Sequence, residues 1–298
     1  MTFKQISLED EYKKNTGVTP QDIKKLRDWL NTQPHLPKDY ITELDLILTY
    51  HCCDQSPEVA KQVLDLHFTL KTLFTSFFKD RYFDSRIENN LYKVLIQPLA
   101  TRSRSGDAVL YCRLLDFEPK NLEFGLSVRY VFIYPIYQEG TWPGLVLIFD
   151  LHGLRLGHLP RLEIQIVQQF LYYLQEAMLM KVKGLHFLNA PSFMDSFMMI
   201  IKPFMKKELI DVMKIHQVGA KTLDQSVPIV ALPQEAGGEY KKFDELRDEM
   251  LSWLRANKEY FVQENKKRVT EALRPGKAKT ISDIFGSVEG SFKKLDID

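Results

Sequence analysis

Between Thr19 and about Lys79, apolar residues return every three or four positions, the period of helices packed on one side. The stretch TPQDIKKLRDWLNTQ offers Thr19 as a cap and Pro20 at the first helical position, with Ile23, Leu26, Trp29 and Leu30 on one face. SPEVAKQVLDLHFTLKTLFTSFF repeats the logic from Ser56 and Pro57, with Val59, Val63, Leu66, Leu70 and Leu73 at helical spacing. A small helical bundle is predicted here. After Asp84 the pattern changes to short apolar runs alternating with longer helical ones. Ala108 to Leu115, Gly144 to Leu151, Gly184 to Asn189 and Val227 to Leu232 are predicted strands, and Glu123 to Glu139 and Leu159 to Val182 are predicted helices. Strand and helix in alternation imply an α/β layer with a mostly parallel sheet. The last part sets Phe243, Leu246, Met250, Trp253, Leu254 and Phe261 on one helical face, and RPGKAKT after it reads as the start of a looser tail. The organisation expected is an all-helical N-terminal lobe over 1–90, an α/β domain over 91–240, and a C-terminal helix and tail over 241–298.

One stretch breaks the usual economy of a surface helix. In NAPSFMDSFMMIIKPFMKK, nine of the thirteen residues from Phe193 to Met205 are apolar, and helical spacing scatters them around the axis. Such a helix is buried, inserted in lipid, or covering something apolar. Seven of the nine methionines fall between Met178 and Met213, and flexible Met side chains tolerate more than one packing partner. The residue pattern leaves a fixed core helix and a movable cover both open. Lys202 and Pro203 interrupt the run well before the ~20 apolar residues of a membrane-spanning helix.

Composition narrows the function classes. The 298 residues, 45% hydrophobic and 27% charged, suffice for a large core, and a net charge of +1 provides no global field for nucleic acid. Three cysteines without an apolar stretch behind a charged N-terminus point to a reducing, cytosolic setting without disulfides. HCCD (His51 to Asp54) suggests a metal or redox site, but adjacent cysteines strain a shared tetrahedral geometry and no second Cys or His pair stands at finger-like spacing. Buried, inert cysteines are expected, and no metal. Asp150, His152 and His158 in FDLHGLRLGH could be imagined as a proton relay, yet no nucleophile, phosphate-loop, dinucleotide or zinc-helix motif accompanies them. Neither catalysis nor a cofactor is expected.

A series of segments in fixed order carries a resemblance. GLVLIFDLHGLRLGH, MKVKGLHFLNAPSFMDSFMMIIKPFMKKEL, IHQ and LPQEAGG resemble the CRAL-TRIO lipid-binding family, whose members carry tocopherol or retinaldehyde. The resemblance implies a CRAL-TRIO-type α/β domain behind a helical lobe. It also implies a gate helix at about 193–209 that closes an apolar cavity and swings away at a membrane. The pocket residues expected on this basis are Tyr130, Tyr134, Leu147, Phe149, Phe170, Tyr173, Phe187, Phe193, Phe197, Ile201 and Phe204. Met194, Met198 and Met205 would meet the bilayer. Lys181 and Lys183 fall on two basic positions that hold a phosphoinositide head group in the family, and Lys206, Lys207 or His51 could stand in for others. Glu208 and Val212 depart from that pattern, as does TYHCC in place of an arginine-rich segment. Alternation puts Leu145, Leu147 and Phe149 on one face of a strand and Val146, Ile148 and Asp150 on the other, without deciding which looks into the pocket. The function implied is a monomeric intracellular carrier of one hydrophobic lipid (tocopherol, retinoid, carotenoid or other isoprenoid-like cargo) in transient contact with anionic membranes. The rival is a phosphoinositide-responsive adaptor.

Overall fold

Thr19 and Ser56 do start helices: each side-chain oxygen accepts a hydrogen bond from the backbone N–H three residues on, of Asp22 and of Val59. The computed structural model describes residues 5–129 and 139–286. Helices Pro20–Asn31, Glu43–Cys52 and Pro57–Leu73 pack around Leu30, Leu46, Ile47, Leu64 and Phe68. The face of the third is rotated from its predicted setting. Val59 is exposed and Val63, Leu66 and Leu73 are half-buried, while Ala60, Leu64 and Phe68 are buried. This helix is packed against both lobes, so two of its stripes are covered and a single apolar face does not describe it.

Five strands form one sheet in sequential order: β1 (Val94–Pro98), β2 (Ala108–Leu114), β3 (Leu145–Asp150), β4 (Val182–Leu188) and β5 (Met213–Ile215). β1 runs antiparallel to β2 and the remaining pairs are parallel. The fold is therefore α/β with a mostly parallel sheet behind a helical N-terminal lobe. The predicted strand from Val227 to Leu232 is absent; a short 3-10 turn, Ile229–Ala231, stands there instead. Pro228 and Pro233 bracket it, each without the N–H that a ladder needs. Strands β1 and β5 escaped the sequence reading because five and three residues show too little alternation to register.

The sheet has two different faces. Leu145 and Leu147 share a core with Leu185, Phe187, Phe170 and Phe197, whereas Val146 and Ile148 pack with Tyr111, Leu188 and Leu246. The helix Phe243–Ala256 covers the second face through Leu246. Beyond it, Lys258–Lys266 leads the chain back onto the N-terminal lobe. The segment after Arg268 is not loose. Arg274 Nη1 lies 2.8 Å from both carboxylate oxygens of Asp65, and the Phe285 ring stacks on Phe74 with centroids 5.8 Å apart.

Where that return meets the lobe, charges are buried together. Glu264 pairs with Lys71 and Lys267, each at 2.6 Å, and Arg81 lies 3.7 Å away. Lys267 also reaches Asp45 at 2.9 Å. No helix among the described residues is long and apolar enough to cross a membrane.

Candidate functional site

The first face of the sheet does not close onto its helices. Val94, Ile96 and Cys112 from β1 and β2, Phe149 and Phe187 from β3 and β4, and Val167, Phe170, Leu171 and Leu174 from the helix Ile164–Glu176 border a cavity of about 160 Å³ with an almost wholly apolar wall. The Phe149 and Phe187 rings stack at 5.8 Å, and Phe170 meets Phe149 edge-on at 6.5 Å. Such aromatic pairs hold a wall in shape as well as burying area. Leu122, Phe124 and Val128 continue the lining near the helix Phe124–Val128.

The cover comes from the unusual apolar stretch. Its helix, Met194–Ile201, turns Met194, Phe197 and Ile201 inward, and Phe197 and Ile201 line the cavity. The Phe197 ring meets Phe187 edge-on at 5.7 Å. On the opposite side stand Asp195 and Met199, the latter 71% exposed. The expected single helix over 193–209 is in fact three pieces: Met194–Ile201, a 3-10 turn Lys202–Phe204, and Lys207–Asp211. Pro203 has no N–H to give the carbonyl four residues back, so the α-helix stops before it. The chain is then extended at Met205 and Lys206. One side chain fastens the break: Gln175 Nε2 donates to the Phe204 carbonyl at 3.0 Å, and Gln175 Oε1 accepts from the Lys206 N–H at 2.7 Å.

Several expected positions fall elsewhere. Met194 and Met205 are buried and Met198 is half-buried, so Met199 is the methionine that faces outward. At about 100° per residue, once Phe197 and Ile201 point in, Met194 shares their side and Met199 must oppose them. Phe193 is the cap of the helix and Phe204 lies in the turn; both are half-buried and outside the lining. Leu147 is fully buried beneath the lining. Tyr173 points toward the N-terminal lobe, its hydroxyl 3.2 Å from His67 Nδ1. Tyr130 and Tyr134 lie outside the described residues. Sequence reasoning missed most of the remaining wall, above all β1, whose run VLIQP follows directly on a helix and a turn.

Asp150, singled out as a relay candidate, is a buried organiser. It accepts from Tyr111 Oη at 2.5 Å, Arg113 Nη1 at 2.8 Å, Asn189 Nδ2 at 2.7 Å and the His152 N–H at 3.0 Å. These bonds tie the ends of β2, β3 and β4 together next to the start of the cover segment. His158 is buried, its Nδ1 accepting from the Arg155 N–H at 2.9 Å.

A second recess of about 630 Å³ lies at the carboxyl end of the helix Ile164–Glu176. Lys181, Lys183 and Lys206 all line it, with Asp54, Glu176 and Glu208 among them. Lys181 is paired with Asp54, which it holds below the usual carboxylate range, and Lys206 with Glu176 at 2.5 Å, a hydrogen bond that raises the ammonium's pKa. Among the described residues no carboxylate pairs with Lys183. Lys207 lies outside the groove, fully exposed and paired with Asp211 along its own helix. Three lysines facing three carboxylates make a groove that is polar and locally balanced. His51 lines a smaller neighbouring recess.

The architecture is thus an α/β domain with an apolar cavity under an interrupted, partly exposed helix. Residues 93–238 match the CRAL/TRIO domain, and residues 15–87 match the Pinta-like UBA domain. The chain thus carries a CRAL/TRIO domain behind a Pinta-like UBA domain. It is 27% identical over 234 residues to the alpha-tocopherol transfer protein-like protein of Mus musculus, covering 76% of this chain and 61% of that one. It is 23% identical over 250 residues to clavesin-1 of Xenopus laevis, covering 82% and 74%. The chain thus spans about 61% of the length of the tocopherol transfer protein-like relatives. Among solved structures, Sfh5 superposes with a TM-score of 0.46 at 12% identity, covering 83% of this chain and 92% of that one.

Proposed function

We propose that this protein is a carrier that encloses one hydrophobic lipid and exchanges it with a membrane through movement of the Phe193–Leu209 segment. The observation that carries this reading is the cavity itself: an almost wholly apolar space roofed by Phe197 and Ile201 from a helix whose outer side shows Met199 to solvent. The roof helix meets the wall through apolar side chains, so an apolar guest can replace their packing contacts when it lifts. The interrupted backbone at Pro203 to Lys206 supplies a place to bend. The relatives' names support a lipid of the tocopherol type as cargo, with retinoids, carotenoids and other isoprenoid-like molecules as alternatives of the same chemistry. The test is native mass spectrometry of the purified chain after incubation with tocopherol, retinaldehyde and a carotenoid. One bound lipid per chain, released to vesicles, is the expected result. A chain that takes up none of them is not an isoprenoid carrier.

The lysine groove supports a secondary role in docking on anionic membranes, the feature that an adaptor would share. Each lysine near an anionic surface adds on the order of 1 kcal/mol, screened by salt. Replacing Lys181, Lys183 and Lys206 together by Ala is expected to weaken co-sedimentation with phosphoinositide-containing vesicles at low salt. Lys207→Ala, outside the groove, is expected to change it little. Equal binding of the triple variant and the parent would leave these lysines as partners of Asp54 and Glu176 and nothing more.

A further inference from the structure

The chain after Arg268 has one firm attachment and one light one. At the firm end Arg274 Nη1 lies 2.8 Å from both carboxylate oxygens of Asp65, Arg274 Nη2 donates to Thr69 Oγ1 at 2.7 Å, and the Lys279 N–H donates to Glu271 Oε2 at 2.8 Å. From Pro275 to Ala278 the chain is exposed. Thr280 then caps a helix of five residues, Ile281–Phe285, far short of the length at which a helix holds itself together in water. Ile281, Ser282 and Asp283 are exposed, so the half-buried Ile284 and Phe285 fasten it to the body.

Phe285 sits where two parts of the molecule meet. Its ring stacks on Phe74 of the N-terminal lobe with centroids 5.8 Å apart and meets Tyr172 edge-on at 5.2 Å. Tyr172 belongs to the helix Ile164–Glu176, another side of which walls the apolar cavity. Tyr172, Gln175 and Glu176 stand three and four positions apart, so they share one face of that helix. That face clamps the cover. Gln175 holds both the Phe204 carbonyl and the Lys206 N–H, and Glu176 pairs with Lys206 at 2.5 Å. Tyr172 stands within reach of that pair: burial raises its hydroxyl's pKa most, the Glu176 charge adds to the rise and Lys206 opposes it.

We propose that the helix Ile281–Phe285 is a detachable strap that holds the cover shut. By packing on Tyr172 it fixes the last turn of Ile164–Glu176, and that turn holds the cover at its break. The last turn of a helix has carbonyls without partners inside the helix and opens readily, so a ring braced against its side decides its setting. With the strap seated, Gln175 and Glu176 stay aligned on Phe204 and Lys206. With Phe285 withdrawn, the turn loosens and the cover lifts more readily. Arg274 stays on Asp65 meanwhile, so a withdrawn strap remains close to its seat. Resting on the same cover movement as the carrier reading, the strap sets how readily that movement occurs.

The test is hydrogen exchange of the full-length, lipid-free chain, read by peptide mass spectrometry. Phe285→Ala should leave the amides of β3 unchanged and speed exchange across residues 194–209 about tenfold. Tyr172→Ala removes the other half of the contact and should do the same. The double variant should add little more, as expected of neighbours that act through one contact. A further measurement needs no substitution: in the wild-type chain the cover should exchange no faster than the amides of Ile281–Phe285, because it lifts only after the strap leaves. Cover exchange indifferent to Phe285→Ala, effects of the two variants that simply add, or a wild-type cover that exchanges faster than its strap overturns the proposal. Faster cover exchange in a variant of a chain that takes up no lipid keeps the strap and removes the carrier.

Discussion

Phe197→Asp is expected to abolish lipid uptake while circular dichroism stays that of the wild type. Phe197 is 9% exposed, lines the cavity and meets the Phe187 ring at 5.7 Å. A carboxylate there would face an almost wholly apolar wall. Its desolvation costs at least several kcal/mol, and each ~1.4 kcal/mol is tenfold in affinity. Met199→Asp is the matched control. It sits on the same helix but faces solvent, so lipid affinity should hold while, on the function proposed above, transfer to vesicles slows because a charge replaces an apolar side chain on the outer side of the cover. Equal lipid affinity of Phe197→Asp and the parent, measured by fluorescence titration, would remove this helix from the pocket.

The largest effect on stability is expected from Glu264→Gln. Its carboxylate faces Lys71, Lys267 and Arg81, with the ion-paired side chains no more than about 7% exposed. Removing one member of a buried ion cluster leaves uncompensated charge and typically costs about 3–5 kcal/mol. Denaturant unfolding should show the midpoint fall with little change in slope. The pH dependence follows from the same residues. Burial alone would raise the Glu264 carboxyl, but the charges of Lys71, Lys267 and Arg81 outweigh it and hold it far below the ordinary range. For Asp45, likewise, burial is outweighed by Lys267. A group depressed in the folded state stabilises fully above its unfolded value, about 4 for a carboxylate, and loses that contribution as pH falls. Wild-type stability should therefore be flat in this respect near neutrality and fall steeply below about pH 4. The Gln variant should start lower and fall less. A variant as stable as the parent at pH 7 would show that the cluster only breaks even against its desolvation.

Much of the scaffold was legible in the chain. Thr19 and Ser56 with their following prolines announced two helices, because a capping oxygen and a fixed φ act within one turn. The alternation of LVLIFD announced a strand with two apolar faces, as a sheet covered on both sides requires. The cover segment, expected as one helix over about 193–209, breaks at Pro203, whose missing N–H stood in the sequence. Local failures had local causes too: Pro228 and Pro233 turned an apolar run away from the sheet.

What the sequence determined by itself was the principal helices and the three central strands, their order, and the presence of one stretch too apolar to stay on an ordinary surface. Tertiary structure alone decided that Leu145 and Leu147 side with the cavity wall while Val146 and Ile148 side with Leu246, since alternation is symmetric until something packs on one face. It decided that Met199 rather than Met194 or Met205 looks outward, because the helix's rotation is set by Phe187 and the wall beneath it. It brought Lys267 to Asp45 across 222 positions, and Lys181 to Asp54 across 127. Helix and strand periods arise from bonds within a few residues, whereas the facing of a side chain and its charge partner depends on what the rest of the chain brings against it.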